Sequence, residues 1–390
     1  MPHKVATTTA LPMMSTAFRT TRTQGITGRA VLNMVGGGLW YIPGSFKIAR
    51  ILGPRYSLRC ILFHDVADTE SVFTKGLGGT IRPEKFEAAL RFLNRHYNPV
   101  SLQQVLASFE GQPLPTRPVL VTFDDAYKSV AEIAAPLCSK YCVPAVFFVN
   151  ASNLDNRQLA LDNLVCYVAN ICGLGTINAA IRCVEGTRNY EVGSLMQVFS
   201  DFLPRIPFTV RESFRRALVE LAQIDEEQLA ATANLYLSSE QLRSLSAFDI
   251  EIGDHTYTHV HCRSLVAAEL AEELRKNKTV LESATATRVR SFSIPYGSSE
   301  DLTDHLLSHL QKEGYEAIFL AEGCANSTDT NKTYLDRMSV KCDSDASLFS
   351  EMEVLPRLRT IRDRVFGRRN SRNPVRFNPP MITARARLGS

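Results

Sequence analysis

The sequence predicts an α/β protein built on parallel β-strands. Short apolar runs alternate with stretches of amphipathic helical pattern, and this alternation favours βα units arranged as a barrel or as an open parallel sheet. The runs are almost continuously apolar, which is typical of parallel strands that are buried on both faces. The predicted strands are Cys60–Phe63, Val119–Phe123, Ala145–Val149, Ile250–Gly253, Ser291–Ile294, Ala317–Leu320 and Arg337–Val340.

The composition is that of a globular protein. The chain has 390 residues, of which 45% are hydrophobic and 22% charged, so collagen-like and disordered classes are excluded. No run approaches the roughly 18 apolar residues that a membrane span needs. Nine cysteines without a C-x-x-C pair favour a reducing compartment. Residues 1–25 lack the basic-then-apolar layout of a secretory signal, and we expect a cytoplasmic protein.

Helices are predicted between the strands from their start and stop signals. Pro83 stands at a first helical position, and Ser238 with Gln241 forms a capping-box pattern. Ser298 is predicted to cap a further helix that ends at Gly314. These helices would cover the outer faces of the strands.

One region interrupts the strand–helix alternation. About a hundred residues separate the strand that ends at Val149 from the strand that begins at Ile250. Within them, Leu161–Cys172 and Arg211–Leu235 have an amphipathic helical pattern. We predict a helical insertion over about residues 152–237 that covers one end of the strands. It could select the substrate, or it could be structural elaboration alone.

Charge is segregated along the chain. Residues 1–59 carry a net charge of +8, residues 355–390 carry +9, and the region between them carries −13. We predict a basic N-terminal arm over 1–59, a folded domain over 60–345 and a basic, disordered tail over 346–390. Basic arms are commonly solvated, and some bind anionic lipid headgroups. An anionic membrane surface is therefore a candidate partner, which would place the protein at the inner membrane face. No segment resembles a nucleic-acid-binding module, so no nucleic acid partner is expected.

Two adjacent carboxylates follow the second predicted strand. Asp124 and Asp125 come directly after Val121-Thr-Phe. A strand cannot bury two neighbouring charges in an apolar interior, so both are expected at its carboxyl end, where active sites of parallel barrels lie. The alternative is a helix cap.

Two histidines follow the fourth predicted strand. His255 and His259 are four residues apart, and this spacing places both imidazoles on one side of a helical turn, as two ligands of one metal require. His261 is interpreted as a surface residue, and His305 with His309 as surface residues of an ordinary helix. Two histidines and an aspartate can bind a metal and leave a position open for water, and a second carboxylate could act as general base. This set is typical of metal-assisted hydrolysis.

The motifs resemble those of the polysaccharide deacetylases, also called the NodB homology domain or carbohydrate esterase family four. Thr122–Asp125 resembles the first family motif, although Ala126 replaces the usual Gly. His255–His259 is similar to the second motif, H-S/T-x-x-H. Ser293–Gly297 is similar to the third, with Arg290 loosely in the place of its usual arginine.

The resemblance implies a fold, a cofactor and roles for the site residues. The fold would be a distorted (β/α)7 barrel from about Cys60 to Val340, with the helical insertion and the two basic arms as additions. A divalent metal, usually zinc in this family, would be held by three ligands, and other residues would act on the substrate. The implied ligands are Asp125, His255 and His259; the implied base is Asp124, and Tyr296 would stabilise the oxyanion through its main-chain N–H and line the sugar site with its ring.

The chain departs from the family at the general acid. Members of the family usually carry a late histidine, but this sequence has no histidine after His309. Phe63-His64-Asp65-Val66 resembles the first-strand motif of the poly-N-acetylglucosamine deacetylase branch, where the acid lies early in the domain. His64 is therefore the candidate acid, with a buried structural histidine as the alternative. Arg337 on the last strand is a candidate substrate-binding residue, or a partner that keeps Asp124 charged.

The sequence therefore predicts a metal-dependent hydrolase that removes N-acetyl groups from an acetamido sugar in a glycan or glycolipid. One alternative is an O-deacetylase or another amide hydrolase on the same metal site. A second alternative is a catalytically dead carbohydrate-binding barrel. The presence of all four residues of the Asp, Asp, His, His set argues against the dead barrel.

Overall fold

Seven parallel strands form a closed barrel in the computed structural model, which describes residues 37–42, 44, 58–324, 326 and 334–359. Each of the seven predicted strands is present, and their ends differ from the prediction by at most three residues. The barrel strands are β1 Arg59–Phe63, β2 Pro118–Phe123, β3 Ala145–Val149, β4 Ile250–Asp254, β5 Ser291–Ser293, β6 Ala317–Leu320 and β7 Tyr334–Ser339.

The strands pair in the order β1, β7, β6, β5, β4, β3 and β2, and β2 pairs again with β1 to close the ring. All these pairings are parallel, so the prediction of a distorted (β/α)7 barrel is confirmed and the open sheet is excluded. The register sets Phe63 beside Phe123, and Val149 beside Asp254. The residues that follow these positions therefore reach the same rim of the barrel.

The strands bury both faces, as their continuous apolar pattern predicts. The barrel interior is filled by five fully buried side chains: Cys60, Leu120, Val146, Phe148 and Phe319. Helix residues that close the amino-terminal end of the barrel belong to the same interior cluster; they are Leu102, Val105 and Leu106. A larger apolar core lies between the strands and the surrounding helices.

Eleven α-helices of five or more residues surround the barrel within the described ranges, besides shorter α-helical, 3₁₀ and π-helical segments. They are α1 Pro83–His96, α2 Leu102–Phe109, α3 Ala135–Lys140, α4 Leu161–Ile171, α5 Leu174–Cys183, α6 Phe208–Leu221, α7 Glu226–Ala233, α8 Ser239–Ser244, α9 Ala267–Thr285, α10 Asp304–Lys312 and α11 Asp345–Phe349. Pro83 begins α1, and Ser238 with Gln241 forms the predicted capping box of α8.

The predicted cap at Ser298 is wrong for α10. Ser298 caps only a single 3₁₀ turn, Ser299–Asp301. The chain then leaves the helical conformation at Leu302, and the Thr303 hydroxyl accepts from the Leu306 N–H to start α10. A new cap is needed because the helical hydrogen bonds are interrupted between the two elements.

The insertion between β3 and β4 is helical, as predicted, and includes α4 to α7. The single predicted stretch Arg211–Leu235 is two helices, α6 and α7, because Gln223 adopts a left-handed φ of +53°. Asp225 then caps α7 by accepting from the Gln228 N–H. Leu164, Phe202 and other apolar residues of the insertion pack into the outer core, so the insertion is part of the barrel domain.

The predicted tail boundary at residue 346 lies inside the folded domain. Residues 345–359 are helical, and Phe349 and Met352 are buried. Glu353 accepts hydrogen bonds from the Arg59 guanidinium at 3.0 Å and from the Tyr97 hydroxyl at 2.6 Å. This segment is ordered against the barrel because its apolar side chains and Glu353 find partners there.

The rest of the two predicted arms, residues 1–36, 43, 45–57 and 360–390, lies outside the described residues. In the described ranges, none of the helices has the length and apolar character that crossing a membrane requires.

Candidate active site

A cavity of about 610 Å³ opens at the carboxyl ends of the barrel strands. The ends of four different strands bring chemically active side chains to its wall. These are His64 after β1, Asp124 and Asp125 after β2, His255 and His259 after β4, and Tyr296 after β5. The barrel thus brings into one cavity residues of several motifs that span more than two hundred positions in the sequence.

Asp124 lies at the floor of this cavity in a buried ion pair. Arg337 donates to its two carboxylate oxygens, Nη1 to Oδ1 at 2.6 Å and Nη2 to Oδ2 at 2.7 Å. Asp124 is 3% exposed and Arg337 is 0% exposed. Burial alone would raise the pKa of Asp124, but the Arg337 guanidinium outweighs it and holds the pKa well below its ordinary value. Asp124 is therefore a carboxylate over the whole physiological pH range.

Asp125 reaches the same cavity because the backbone turns at this residue. Asp125 adopts a left-handed φ of +64°, which is uncommon for a residue other than glycine. The turn ends the alternation of the strand, so neighbouring carboxylates face one site instead of opposite faces of the sheet. Asp125 Oδ1 lies 3.5 Å from His259 Nε2 and 3.9 Å from His255 Nε2.

His255 presents its Nε2 atom to the cavity. Its Nδ1–H donates to the Ser293 carbonyl at 2.8 Å, which fixes the ring and its tautomer. Its Nε2 atom lies 3.6 Å from Asp124 Oδ2. Burial lowers the pKa of His255 to about 4, so the imidazole is neutral at physiological pH and its Nε2 lone pair is available to a metal.

His259 is held in a similar way by a residue of the insertion. Its Nδ1–H donates to Asp162 Oδ2 at 2.6 Å, which leaves Nε2 directed at Asp125. Burial works against a charged imidazole, but the Asp125 and Asp162 carboxylates raise the pKa of His259 above its ordinary value. The neighbouring carboxylates make this imidazole electron-rich, as is common for histidines that bind metals.

Asp125, His255 and His259 fit a divalent metal. Each offers one ligand atom, and the three atoms lie within 4.8 Å of one another. Two imidazole nitrogens and one carboxylate oxygen are a frequent donor set for a catalytic metal with an open position. The hydrogen bonds of both Nδ1 atoms direct both Nε2 atoms inward, as such a site requires.

His64 lies half-buried on the cavity wall, at the end of β1. A Cβ atom on Gly79 would lie 3.3 Å from the His64 ring, so the glycine allows its backbone to pass close to the imidazole. The neighbouring Asp65 is fixed by the Ser129 and Thr80 hydroxyls, which donate to its two oxygens at 2.7 and 3.0 Å. These contacts hold the chain that follows His64 at the rim of the barrel.

Tyr296 forms another part of the cavity wall. It adopts a left-handed φ of +61°, and its ring stacks on His261 with the centroids 3.7 Å apart. Its hydroxyl donates to the Asp162 carboxylate at 2.8 and 2.9 Å. Burial and this carboxylate raise the pKa of Tyr296 well above its ordinary value, so the hydroxyl stays a donor. What Tyr296 can offer a substrate is its ring and its backbone.

Three expectations from the sequence are corrected here. Arg337 does not bind substrate, because it is fully buried and its donors are used by Asp124, the Leu320 carbonyl and Ser293. His261 is not a surface residue, because it is 3% exposed beneath Tyr296. Arg290 precedes β5 and pairs with Glu316 at the amino-terminal end of the barrel, so it does not reach the site. Arg337 occupies the position beside Asp124 instead.

Two functional candidates, Asp162 and Arg211, carry no recognisable signal in the sequence. Both belong to the insertion, and both contact His259. In the sequence, Asp162 resembles an ordinary acidic residue in the first turn of a helix, and Arg211 a surface arginine of an amphipathic helix. Their contacts cross about a hundred and about fifty positions, and no local signal marks such pairs.

The profile of the family described as polysaccharide deacetylase matches residues 208–318. The matched range contains the His255–His259 and Ser293–Gly297 segments, which the structure places at the cavity. A poly-beta-1,6-N-acetyl-D-glucosamine N-deacetylase of Escherichia coli strain K12 is 26% identical over 238 residues, which cover 60% of this chain and 29% of that protein. The protein of the same name in Escherichia coli O157:H7 matches to the same extent. Residues 208–318 of this chain are therefore similar to the polysaccharide deacetylases.

A solved structure shares the fold. The deacetylase PplD of Streptococcus pyogenes, in complex with acetate, superimposes with a TM-score of 0.52 at 14% identity. The superposition covers 77% of this chain and 100% of that chain. The likeness therefore extends over the whole of that domain. By contrast, the match to the Escherichia coli relatives spans less than a third of their length.

Proposed function

We propose that this protein is a metal-dependent hydrolase that removes N-acetyl groups from an acetamido sugar in a glycan. One observation carries the proposal: Asp124, Asp125, His255 and His259 converge on one cavity, with Asp124 fixed by Arg337. The family and the Escherichia coli relatives named as poly-beta-1,6-N-acetyl-D-glucosamine N-deacetylases support an N-acetylated sugar as the substrate class.

Asp125, His255 and His259 would hold the metal, and zinc suits a site with two nitrogen ligands and one oxygen ligand. A zinc ion bound there supplies a Lewis acid, which polarises a carbonyl group and lowers the pKa of a neighbouring water to about 7. The remaining chemistry is the work of the surrounding side chains.

Asp124 would accept the proton of the attacking water. Its oxygen Oδ2 lies 3.6 Å from His255 Nε2, so Asp124 is adjacent to the ligand set without being one of the three ligands. The paired hydrogen bonds of Arg337 fix the carboxylate plane and keep it ionised, which a general base requires. Attack on the acetamide carbon would produce a tetrahedral oxyanion, which the Tyr296 main-chain N–H is proposed to stabilise.

His64 would donate a proton to the leaving amine. An amine leaves only when its nitrogen is protonated, and His64 is a half-buried imidazole on the same cavity wall. The products would be acetate and a free amino sugar. The Tyr296 ring, stacked on His261, would contact the sugar.

Release of acetate tests the proposal. The full chain, loaded with zinc, would be incubated with N-acetylated β-1,6-linked glucosamine oligomers, chitin oligomers and an N-acetylated glycolipid. We expect acetate release from at least one of them, loss of activity with a chelator, and recovery with added zinc. Acetate release only from O-acetylated sugars would replace the proposal with the O-deacetylase alternative. No release, together with glycan binding, would favour the dead barrel.

We further propose that the basic arms bring the enzyme to an anionic membrane surface on the cytoplasmic side, as an extension of the substrate proposal to lipid-linked saccharides. The support is the charge of the two arms, +8 and +9 over residues 1–59 and 355–390. Most of both arms lies outside the described residues, so this proposal depends on the sequence alone.

A further inference from the structure

The helical insertion contacts the candidate metal site through two buried charged side chains. Asp162 is in the first turn of α4 and is 6% exposed. Arg211 is in α6 and is 3% exposed. Burial of two charges is costly unless each has partners, so these contacts are specific features of the fold.

Both carboxylate oxygens of Asp162 accept hydrogen bonds from residues of the candidate site. Oδ2 accepts from His259 Nδ1 at 2.6 Å, and both oxygens accept from the Tyr296 hydroxyl at 2.8 and 2.9 Å. One insertion carboxylate thus connects a candidate ligand after β4 with the aromatic wall after β5. Its position in the first turn of a helix favours the ionised form.

Arg211 holds the backbone of the same histidine. Its Nη2 donates to the His259 carbonyl at 2.8 Å. His259 adopts a left-handed φ of +53°, a conformation that a histidine adopts only when its surroundings fix it. The insertion therefore holds both the ring and the main chain of His259.

We propose that Asp162 and Arg211 are positioning residues, through which the insertion sets the ring orientation, the tautomer and the backbone of His259 for metal binding. The inference rests on the proposed metal-dependent function and assigns to the insertion a role other than structural elaboration. A hydrogen bond at Nδ1 keeps the proton on that atom and leaves Nε2 as the ligand. Without Asp162, the ring can rotate, and the ligand atom leaves its position opposite Asp125.

The insertion also fixes Tyr296. Its hydroxyl is tied to Asp162, and its ring lies between His261 and His259, with centroid distances of 3.7 and 4.7 Å. Loss of Asp162 would free the hydroxyl and let the ring move into the cavity. We therefore expect the same substitution to affect metal binding and the sugar wall together.

Zinc affinity of the full chain tests the inference. Asp162→Ala is expected to weaken zinc binding about 10- to 100-fold, measured by competition with a chromophoric chelator. Asp162→Asn keeps an oxygen that accepts from Nδ1–H, so its affinity should fall between wild type and Asp162→Ala. Arg211→Met, which removes the donor and keeps the packing volume, should also weaken zinc binding. Arg211→Lys keeps a donor, so its zinc affinity should lie between that of Arg211→Met and that of wild type.

Cobalt substitution supplies a second readout. The visible absorption of bound Co²⁺ reports the ligand geometry, so it should change in Asp162→Ala, whereas a purely structural defect would lower stability without changing the spectrum of the folded fraction. Asp201→Asn is the matched control, because Asp201 lies in the same insertion and forms an ion pair with the exposed Arg205. It should match wild type in affinity and spectrum.

The outcomes separate this inference from the proposed function. If wild type binds zinc and Asp162→Ala binds it equally, with an unchanged cobalt spectrum and the same melting temperature, the positioning role is wrong and the proposed function stands. If wild type binds no zinc at this site, both are wrong. Graded loss across Asp162→Asn and Asp162→Ala, with Asp201→Asn unchanged, supports the inference.

Discussion

Arg337 and Asp124 form a two-point ion pair inside the barrel, with N–O distances of 2.6 and 2.7 Å. The guanidinium also lies over the Phe148 ring, with its central carbon 5.3 Å from the ring centroid. Arg337 is thus enclosed by the apolar interior on one side and by the proposed base on the other. Asp124 is therefore fixed directly to the barrel core.

Replacement of Arg337 by Lys should lower kcat by about 10²-fold, because one ammonium group cannot fix both carboxylate oxygens and the base loses its orientation. Zinc content should stay unchanged, since Arg337 contacts none of the three ligands in the described structure. Arg290→Lys is the matched control, because Arg290 pairs with Glu316 at the opposite end of the barrel. Steady-state kinetics and metal analysis of both variants check this. Equal activity of Arg337→Lys and wild type would contradict it.

Asp124→Asn should retain zinc and lower kcat by about 10²- to 10⁴-fold, since the amide keeps the shape of the side chain but cannot accept a proton. The variant should also be less stable, because the Arg337 charge stays buried without its counterion, at a cost of about 3–5 kcal/mol. Acetate release and the denaturant midpoint measure the two effects. A fully active Asp124→Asn protein would show that the base is another group.

His255→Ala and Asp125→Ala should each lose zinc and turnover, because loss of one of three ligands lowers affinity strongly. His305→Ala is the control, since His305 is exposed on α10 away from the cavity and should change neither property. Metal content after dialysis, followed by activity with added zinc, makes the comparison. Retention of stoichiometric zinc by His255→Ala would remove His255 from the ligand set.

His64→Ala should lower kcat on an N-acetyl substrate by about 10²- to 10⁴-fold, because a positioned acid is lost. An activated acetate ester should be affected much less, since its leaving group departs without a proton. Zinc content should not change, because His64 is outside the candidate ligand set. Equal loss on both substrates, accompanied by loss of zinc, would identify His64 as a ligand or a structural residue.

Deletion of residues 360–390 should weaken binding to vesicles that contain anionic lipid, since each basic residue near such a surface contributes roughly 1 kcal/mol. The deletion begins after Arg359, because residues 345–359 are helical and Glu353 pairs with Arg59. Activity on a small soluble substrate should stay the same. Vesicle co-sedimentation at low salt provides the measurement, and neutral vesicles provide the control. If both proteins sediment equally with anionic vesicles, the tail has no such role.

The sequence by itself determined the barrel strands and the main candidate residues of the cavity. Continuous apolar runs mark strands that are buried on both faces, and polar clusters directly after β2 and β4 mark the carboxyl rim. Asp124, Asp125, His255 and His259 could be found because each lies at a strand end, and parallel strands bring their ends to one edge. These signals are local, because each of them is formed by residues that are close together in the sequence.

Only the tertiary structure decided which side chains support those residues. Arg337 is separated from Asp124 by more than two hundred positions, and Asp162 from His259 by about a hundred. No periodic pattern in the sequence marks such pairs, because they depend on strand order, register and the path of the insertion. The sequence leaves two roles open for Arg337, substrate binding or pairing with Asp124, since its position in the sequence does not reveal that it points into the barrel and is fully buried. The backbone turns at Asp125 and His259 also depend on the fold, because a left-handed φ at these residues is stable only where surrounding contacts hold it.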